Sequence, residues 1–315
     1  MNLKKSERMK KNGILAILIL SIVTSMYAQD KYITTSDSTK LYISIKGNGV
    51  PCLFIHGGPG QGSNYWEQLA GDFCEKHFQM IYLDQRGCGR STSPRNADYS
   101  MDRMVKDFEE VRKTLNIDEW FIMGHSFGSV LQMGYVHRHP QKIKGMLMFN
   151  CTLNLKKSLE ESYIPSVMKF FKINNTLTYT DLSIPLTTRL DSIETLFTKR
   201  EDVWKLSFPS LEATQKFVNT YNGFENWNMD FRNTAFSMQE YLNDFCYMTA
   251  EIKTPVLFLH TRNDNNTGAN HHLDIKFPNQ LLYVIEGGHM EFIEKSDEYL
   301  KAIEDFKIQF NFVTR

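Results

Sequence analysis

The chain has 315 residues, 42% of them hydrophobic and 13% aromatic, which suits one large domain or one domain carrying an insertion. Its 36 basic and 36 acidic residues balance, so nothing points to a nucleic-acid partner, and no repeat or low-complexity tract indicates a solenoid or a linker. The five cysteines form no Cys-x-x-Cys pair, which indicates neither a zinc site nor a dense disulfide framework and leaves room for one disulfide.

In chain order, the first element is a leader. Lys4, Lys5, Arg8, Lys10 and Lys11 precede an apolar run from Gly13 to Val23, and the small residue Ala28 follows. The run is short for a bilayer span of about 20 residues, and the pattern is that of a secretory signal peptide over residues 1–28. Export with cleavage is therefore expected, with an uncleaved membrane anchor as the alternative. Cleavage after Ala28 removes the five basic residues and Glu7, so the remainder is mildly acidic, unlike a polybasic membrane binder.

Next, "LYISI" (41–45) alternates apolar and polar residues and is expected to pair with "YITT" as an antiparallel hairpin. Six buried strands are then predicted within 51–58, 79–87, 119–126, 143–151, 255–264 and 281–289. Continuous apolar runs of this kind suit parallel strands covered on both faces. Helical patterns separate them: "SMDRMVKDFEEVRKTLNI" with Ser100 as N-cap, "FGSVLQMGYVHRH" stopping at Pro140, and "DEYLKAIEDFKIQF" near the end. Strands alternating with helices give an α/β fold with a mainly parallel central sheet flanked by helices. Residues 152–245 break the rhythm and read as an inserted, mostly helical cap between the catalytic-domain parts 29–151 and 246–315.

Gly124-His125-Ser126-Phe127-Gly128 lies where the strand "EWFIM" meets a helix. A crossing this tight strains its central residue and exposes the Ser126 hydroxyl above the carboxyl ends of the strands, so Ser126 is the expected nucleophile. A serine hydroxyl needs a base. His289 sits in a glycine turn directly after the last strand; His137 and His139 end a helix, His271 and His272 fall in a loop, and His260 lies within a strand. The base needs an acid to fix its tautomer, and Asp264, ending the preceding strand, is better placed than Asp244 or Asp274. "HGGPG" (56–60) follows the first long strand and offers backbone N–H groups to an oxyanion: Gly58 together with Phe127, with Gly57 as the alternative.

The order Ser126, Asp264, His289 is that of an α/β-hydrolase. "HGGPG", "LDQRGCGRS" (83–91), "GHSFGS", Asp264 and His289 together resemble α/β-hydrolases of the proline iminopeptidase type over residues 40–150 and 250–310. The resemblance implies an α/β-hydrolase fold and a serine aminopeptidase that releases an N-terminal residue, often proline, with cap carboxylates holding the free amine. Asp84 and Arg90 are expected to pair within their loop as structural residues. The family usually reads Gly-Gly-Ser-Trp-Gly-Ser where this chain has Gly124-His125-Ser126-Phe127-Gly128-Ser129. In the cap, "NGFENWNM" offers Glu225-Asn226 with Phe224 and Trp227, so Glu225 is the expected substrate-binding residue and Glu201 a fainter candidate. No metal or organic cofactor is implied. A small peptide is the leading substrate, and a small apolar ester, cleaved by a carboxylesterase or lactonase, is the alternative. The oligomeric state is not indicated.

Overall fold

The computed structural model describes residues 29–312, so the leader expected over 1–28 lies outside the described residues. The apolar runs become strands β1 (Gln29–Thr34), β2 (Lys40–Lys46), β3 (Val50–Ile55), β4 (Phe78–Leu83), β5 (Trp120–His125), β6 (Ile143–Phe149), β7 (Val256–Thr261) and β8 (Gln280–Ile285). They form one sheet in the order β1-β2-β4-β3-β5-β6-β7-β8. β1 pairs antiparallel with β2, and β2 antiparallel with β4; every other pairing is parallel. The chain steps from β3 outward to β4, then crosses back to place β5 on the other side of β3. Loops leaving β3 and β5 therefore diverge, and a crevice opens at their carboxyl ends, where such sheets bind ligands.

Helices follow in the order α1 (Asn64–Leu69), α2 (Met101–Thr114), α3 (Gly128–Arg138), α4 (Ile164–Phe171), α5 (Leu186–Phe197), α6 (Leu211–Asn219), α7 (Asp230–Ala235) and α8 (Ser296–Gln309), with shorter turns between. Ser100 caps α2 as expected, its Oγ accepting the Arg103 N–H at 3.3 Å. Side chains alternate across the sheet. Leu53, Ile55, Ile122 and Met148 pack with Met104 and Phe108 of α2 and Val130 of α3 on one face. Phe54, Met123 and Phe149 pack with Trp66 of α1 and Ile303 and Phe306 of α8 on the other. Burying side chains of this size is worth about 1.5–3 kcal/mol each, which is why strands covered on both faces tolerate so few polar residues.

Between β6 and β7 the chain builds a third, separate apolar cluster from Ile164, Val167 and Met168 of α4, Ile193 and Leu196 of α5, and Leu206. The segment leaves and rejoins the sheet at one place, where the Phe245 N–H donates to Leu153 O at 2.7 Å. All five cysteines are free, and four of them are buried. Among the described residues no helix is long and apolar enough to cross a membrane.

Candidate active site

β5 ends at His125, and Ser126 takes a left-handed backbone, φ 55°. That conformation costs a residue with a Cβ ~1–2 kcal/mol, so the surroundings must impose it. They do so from both sides: the Ser126 N–H donates to Phe149 O of β6 at 3.2 Å, and Ser129 Oγ lies 2.6 Å from Ser126 O. The turn fits only because of two glycines. A Cβ on Gly128 would fall 2.1 Å from Ile55 O of β3, and one on Gly57 would fall 2.9 Å from the Ser126 Cβ. The loop after β3 is thus packed directly against the Ser126 side chain.

Asp264 and His289 come from the loops after β7 and β8. His289 Nδ1 donates to Asp264 Oδ2 at 2.9 Å. A carboxylate only accepts, so Nδ1 carries the proton and Nε2 is left as a base. Asp264 is fully buried yet well satisfied: Oδ1 accepts the N–H groups of Asn266 (2.8 Å) and Thr267 (3.0 Å), and Oδ2 also accepts Asn150 Nδ2 (3.0 Å). Burial by itself would raise the Asp264 pKa; the His289 charge and the hydrogen bonds from His289 and Asn150 hold it well below the ordinary carboxylate range. Asn150 is in turn fixed by Tyr299, whose Oη donates to Asn150 Oδ1 at 2.7 Å.

His125 ties these loops together. Its Nε2–H donates to His289 O at 3.3 Å, its Nδ1 accepts from Tyr65 Oη at 3.0 Å, and Tyr65 Oη accepts the Gly57 N–H at 3.3 Å. Burial, then the nearby His289, depress the His125 pKa to about 3, so it stays a neutral connector. The Gly57 N–H is thereby occupied, whereas among the described residues the N–H groups of Gly58 and Phe127 have no such partner. Asp84 anchors the far end of the same loop, accepting Ser63 N–H at 2.6 Å, Ser63 Oγ at 2.7 Å and Arg90 Nε at 2.7 Å. Burial would raise its pKa, but Arg90 brings it net below the ordinary value, as expected of a structural pair.

Ser126 opens into a cavity of about 270 Å³, shared with Gly58, Pro59 and the apolar side chains of Leu155, Leu159, Leu190, Ile193, Met229 and Phe236. Its charged lining residues among those described are Glu194 of α5 and Arg232 of α7. A larger recess of about 660 Å³ lies behind the Asp264 loop, but Ser126 does not line it. The segment above the sheet also grips the acid and histidine loops. Ser158 Oγ donates to Thr267 O (3.0 Å), Ser162 Oγ to Asn265 O (3.1 Å) and Ser207 Oγ to Asn266 Oδ1 (2.9 Å), while Ser207 O accepts the Met290 N–H (2.9 Å).

A family model described as the alpha/beta hydrolase fold matches residues 50–296. The chain belongs to the alpha/beta hydrolase fold family. It is 38% identical over 120 residues to a proline iminopeptidase of Neisseria meningitidis, covering 37% of this chain and 38% of that relative's length. A second relative, the proline iminopeptidase of Heyndrickxia coagulans, is 28% identical over 270 residues, which span 82% of this chain and 91% of the relative. Among solved structures, the proline iminopeptidase-related protein from Thermus thermophilus superposes with a TM-score of 0.72 at 18% identity, covering 90% of this chain and 98% of that one. At that identity the likeness is one of fold.

Within this hydrolase Ser126 and Gly58 line one cavity, and Asp264 and His289 pair with each other in the loops after β7 and β8; the segment above the sheet departs from expectation. Glu225 is exposed and does not line the cavity, and Glu201 is exposed as well. The carboxylate facing the cavity is Glu194, which carried no sequence signal because it sits in an amphipathic helix like any surface glutamate. Glu225 lies instead in the turn before α7, whose Trp227 Nε1 donates to Gln61 O at 3.0 Å and so braces the loop after β3. His271, expected in a loop, is buried and its Nε2 accepts the Leu153 N–H at 2.9 Å. Asn150 and Tyr65 were not legible in the sequence: each acts through a partner more than fifty positions away.

Proposed function

We propose that this hydrolase is an exported serine aminopeptidase that releases N-terminal proline or another small residue from short peptides. Ser126 Oγ attacks the scissile carbonyl carbon while His289 Nε2 takes its proton. Asp264 holds the imidazole in the Nδ1–H tautomer and stabilises the imidazolium that forms. The N–H groups of Gly58 and Phe127 receive the oxyanion. As the tetrahedral intermediate collapses, the C–N bond breaks and the His289 proton passes to the leaving amine. Water, deprotonated by His289, then attacks the acyl-enzyme and restores Ser126.

The observation that carries the substrate reading is the cavity itself. A volume of about 270 Å³ lies below the ~300–1,000 Å³ typical of drug-sized ligands and matches a small acyl group. Its wall combines aliphatic and aromatic side chains, suited to a pyrrolidine ring, with the carboxylate of Glu194, suited to its cationic nitrogen. The iminopeptidase relatives support the same reading.

The test compares hydrolysis of a proline arylamide with that of a short-chain aryl ester, in the wild type and in Glu194→Gln. The arylamide should be cleaved, and its KM should rise roughly 10-fold or more in the variant, the size of a lost charge-assisted hydrogen bond, with the ester spared. Ester turnover with no arylamide turnover would replace the aminopeptidase with a carboxylesterase or lactonase.

A further inference from the structure

Resting on the aminopeptidase reading, we propose that the cavity selects zwitterionic dipeptides, Glu194 taking the ammonium and Arg232 the C-terminal carboxylate. Glu194 and Arg232 are the charged side chains that line the cavity above Ser126 among the described residues, one of each sign. They pair with one another, Arg232 Nη2 donating to Glu194 Oε1, and among the described residues neither has a second ion-pair partner. Their side chains are 44% and 58% exposed, so the pair is solvated and contributes little that a ligand must overcome.

Charge balance then decides what the cavity prefers. A purely cationic ligand that takes Glu194 strips Arg232 of its only carboxylate and leaves a bare guanidinium beside the ligand's own ammonium. A neutral ester engages neither group. A zwitterion exchanges one internal pair for two charge-assisted pairs and keeps the cavity neutral; the planar guanidinium fork matches a carboxylate bidentately. The backbone of Arg232 is fixed where this requires it. A Cβ on Gly60 would fall 2.4 Å from Arg232 Cβ, so the arginine is seated against the loop that carries Gly58.

The experiment uses prolylglycine and prolylglycinamide, which share a scissile bond and differ in C-terminal charge. Each competes with a fluorophosphonate probe for Ser126 in the wild type, Arg232→Gln and Arg232→Lys, and cleavage is followed in parallel. Probe labelling of each variant reports that its site is folded. Prolylglycine should protect Ser126 at a roughly 10-fold or more lower concentration than the amide, the scale of one charge-assisted hydrogen bond. That preference should vanish in Arg232→Gln and return in part in Arg232→Lys. Equal protection by both compounds, or a preference that survives Arg232→Gln, overturns the proposal. Selective protection without cleavage refutes the aminopeptidase and leaves the zwitterion site standing; equal cleavage of both compounds does the reverse.

Discussion

Replacing Asn150 tests how the acid of the site is held. Asn150 is buried, has φ 47°, donates to Asp264 Oδ2 at 3.0 Å and Thr261 Oγ1 at 2.6 Å, and accepts from Tyr299 Oη at 2.7 Å. Alanine there leaves the buried Tyr299 hydroxyl without its acceptor, ~1–3 kcal/mol. The left-handed backbone costs alanine and asparagine alike ~1–2 kcal/mol, so it is not a further loss. Asn150→Ala is therefore expected to lose ~1–3 kcal/mol, out of a typical ~5–15 kcal/mol, in urea unfolding. Asn150→Gly loses the same hydrogen bonds without the backbone cost, so it should be the more stable of the two by ~1 kcal/mol, the reverse of the usual order.

Asp264 meanwhile keeps three of its donors, and labelling of Ser126 by a fluorophosphonate should slow roughly 10-fold, the worth of one bond to a charged acceptor. The sign of the pH effect follows from the depressed Asp264 pKa. The stabilisation it supplies is present above the unfolded value of ~3.9 and is lost as pH falls through the folded value. Without Asn150 the folded value moves up, so both variants should acid-unfold at higher pH than the wild type. An alanine variant as stable as the glycine variant, or an unchanged acid midpoint, would refute this account of Asn150.

Two further outcomes concern the loops around Ser126. Gly57→Ala places a methyl 2.8 Å from His125 O and 2.9 Å from the Ser126 Cβ, so the nucleophile must shift; kcat should fall ~10²-fold with KM little changed, measured on any substrate the wild type turns over. Ser207→Ala removes the hydroxyl that donates to Asn266 Oδ1 at 2.9 Å but keeps the carbonyl that accepts Met290 N–H. It should cost ~0.5–1.5 kcal/mol in thermal unfolding and lower kcat more than it raises KM, because Asn266 also donates to Asp264. A change confined to KM would mean that Ser207 serves the cavity and not the acid loop.

Much of the fold was legible because apolar runs and helical spacing are local signals. All six expected strands, the β1–β2 hairpin and the Ser100 cap are present, though β4 ends at Leu83 and β8 at Ile285, short of the expected 87 and 289. β8, at the sheet edge, is half-buried with Leu282 exposed where a buried strand was expected. Ser126, Asp264 and His289 stood out as candidates for the same reason. Ser126 directly follows β5, Asp264 and His289 lie in the loops after β7 and β8, and strands of a parallel sheet that all point one way deliver the loops that follow them to one edge. Glu225 failed for the opposite reason. Residues 164–206 gather short helices around their own apolar cluster, while Phe231, Ala235 and Tyr241 pack into the core of the sheet, and which glutamate faces the cavity depends on how those helices sit, not on the identity of their neighbours in sequence.

The strand–helix alternation and the strained serine turn are written in the order of the residues, because both are set by interactions within a few positions. Packing between distant elements brings Asn150 and Tyr299 to Asp264, joins three loops through His125 and Tyr65, and sets Glu194 and Arg232 in the cavity with Ser126. Those contacts join residues far apart in the chain, and hydrogen bonds and ion pairs form between any groups of the right type that packing brings within about 3 Å. Local pattern carries no record of them.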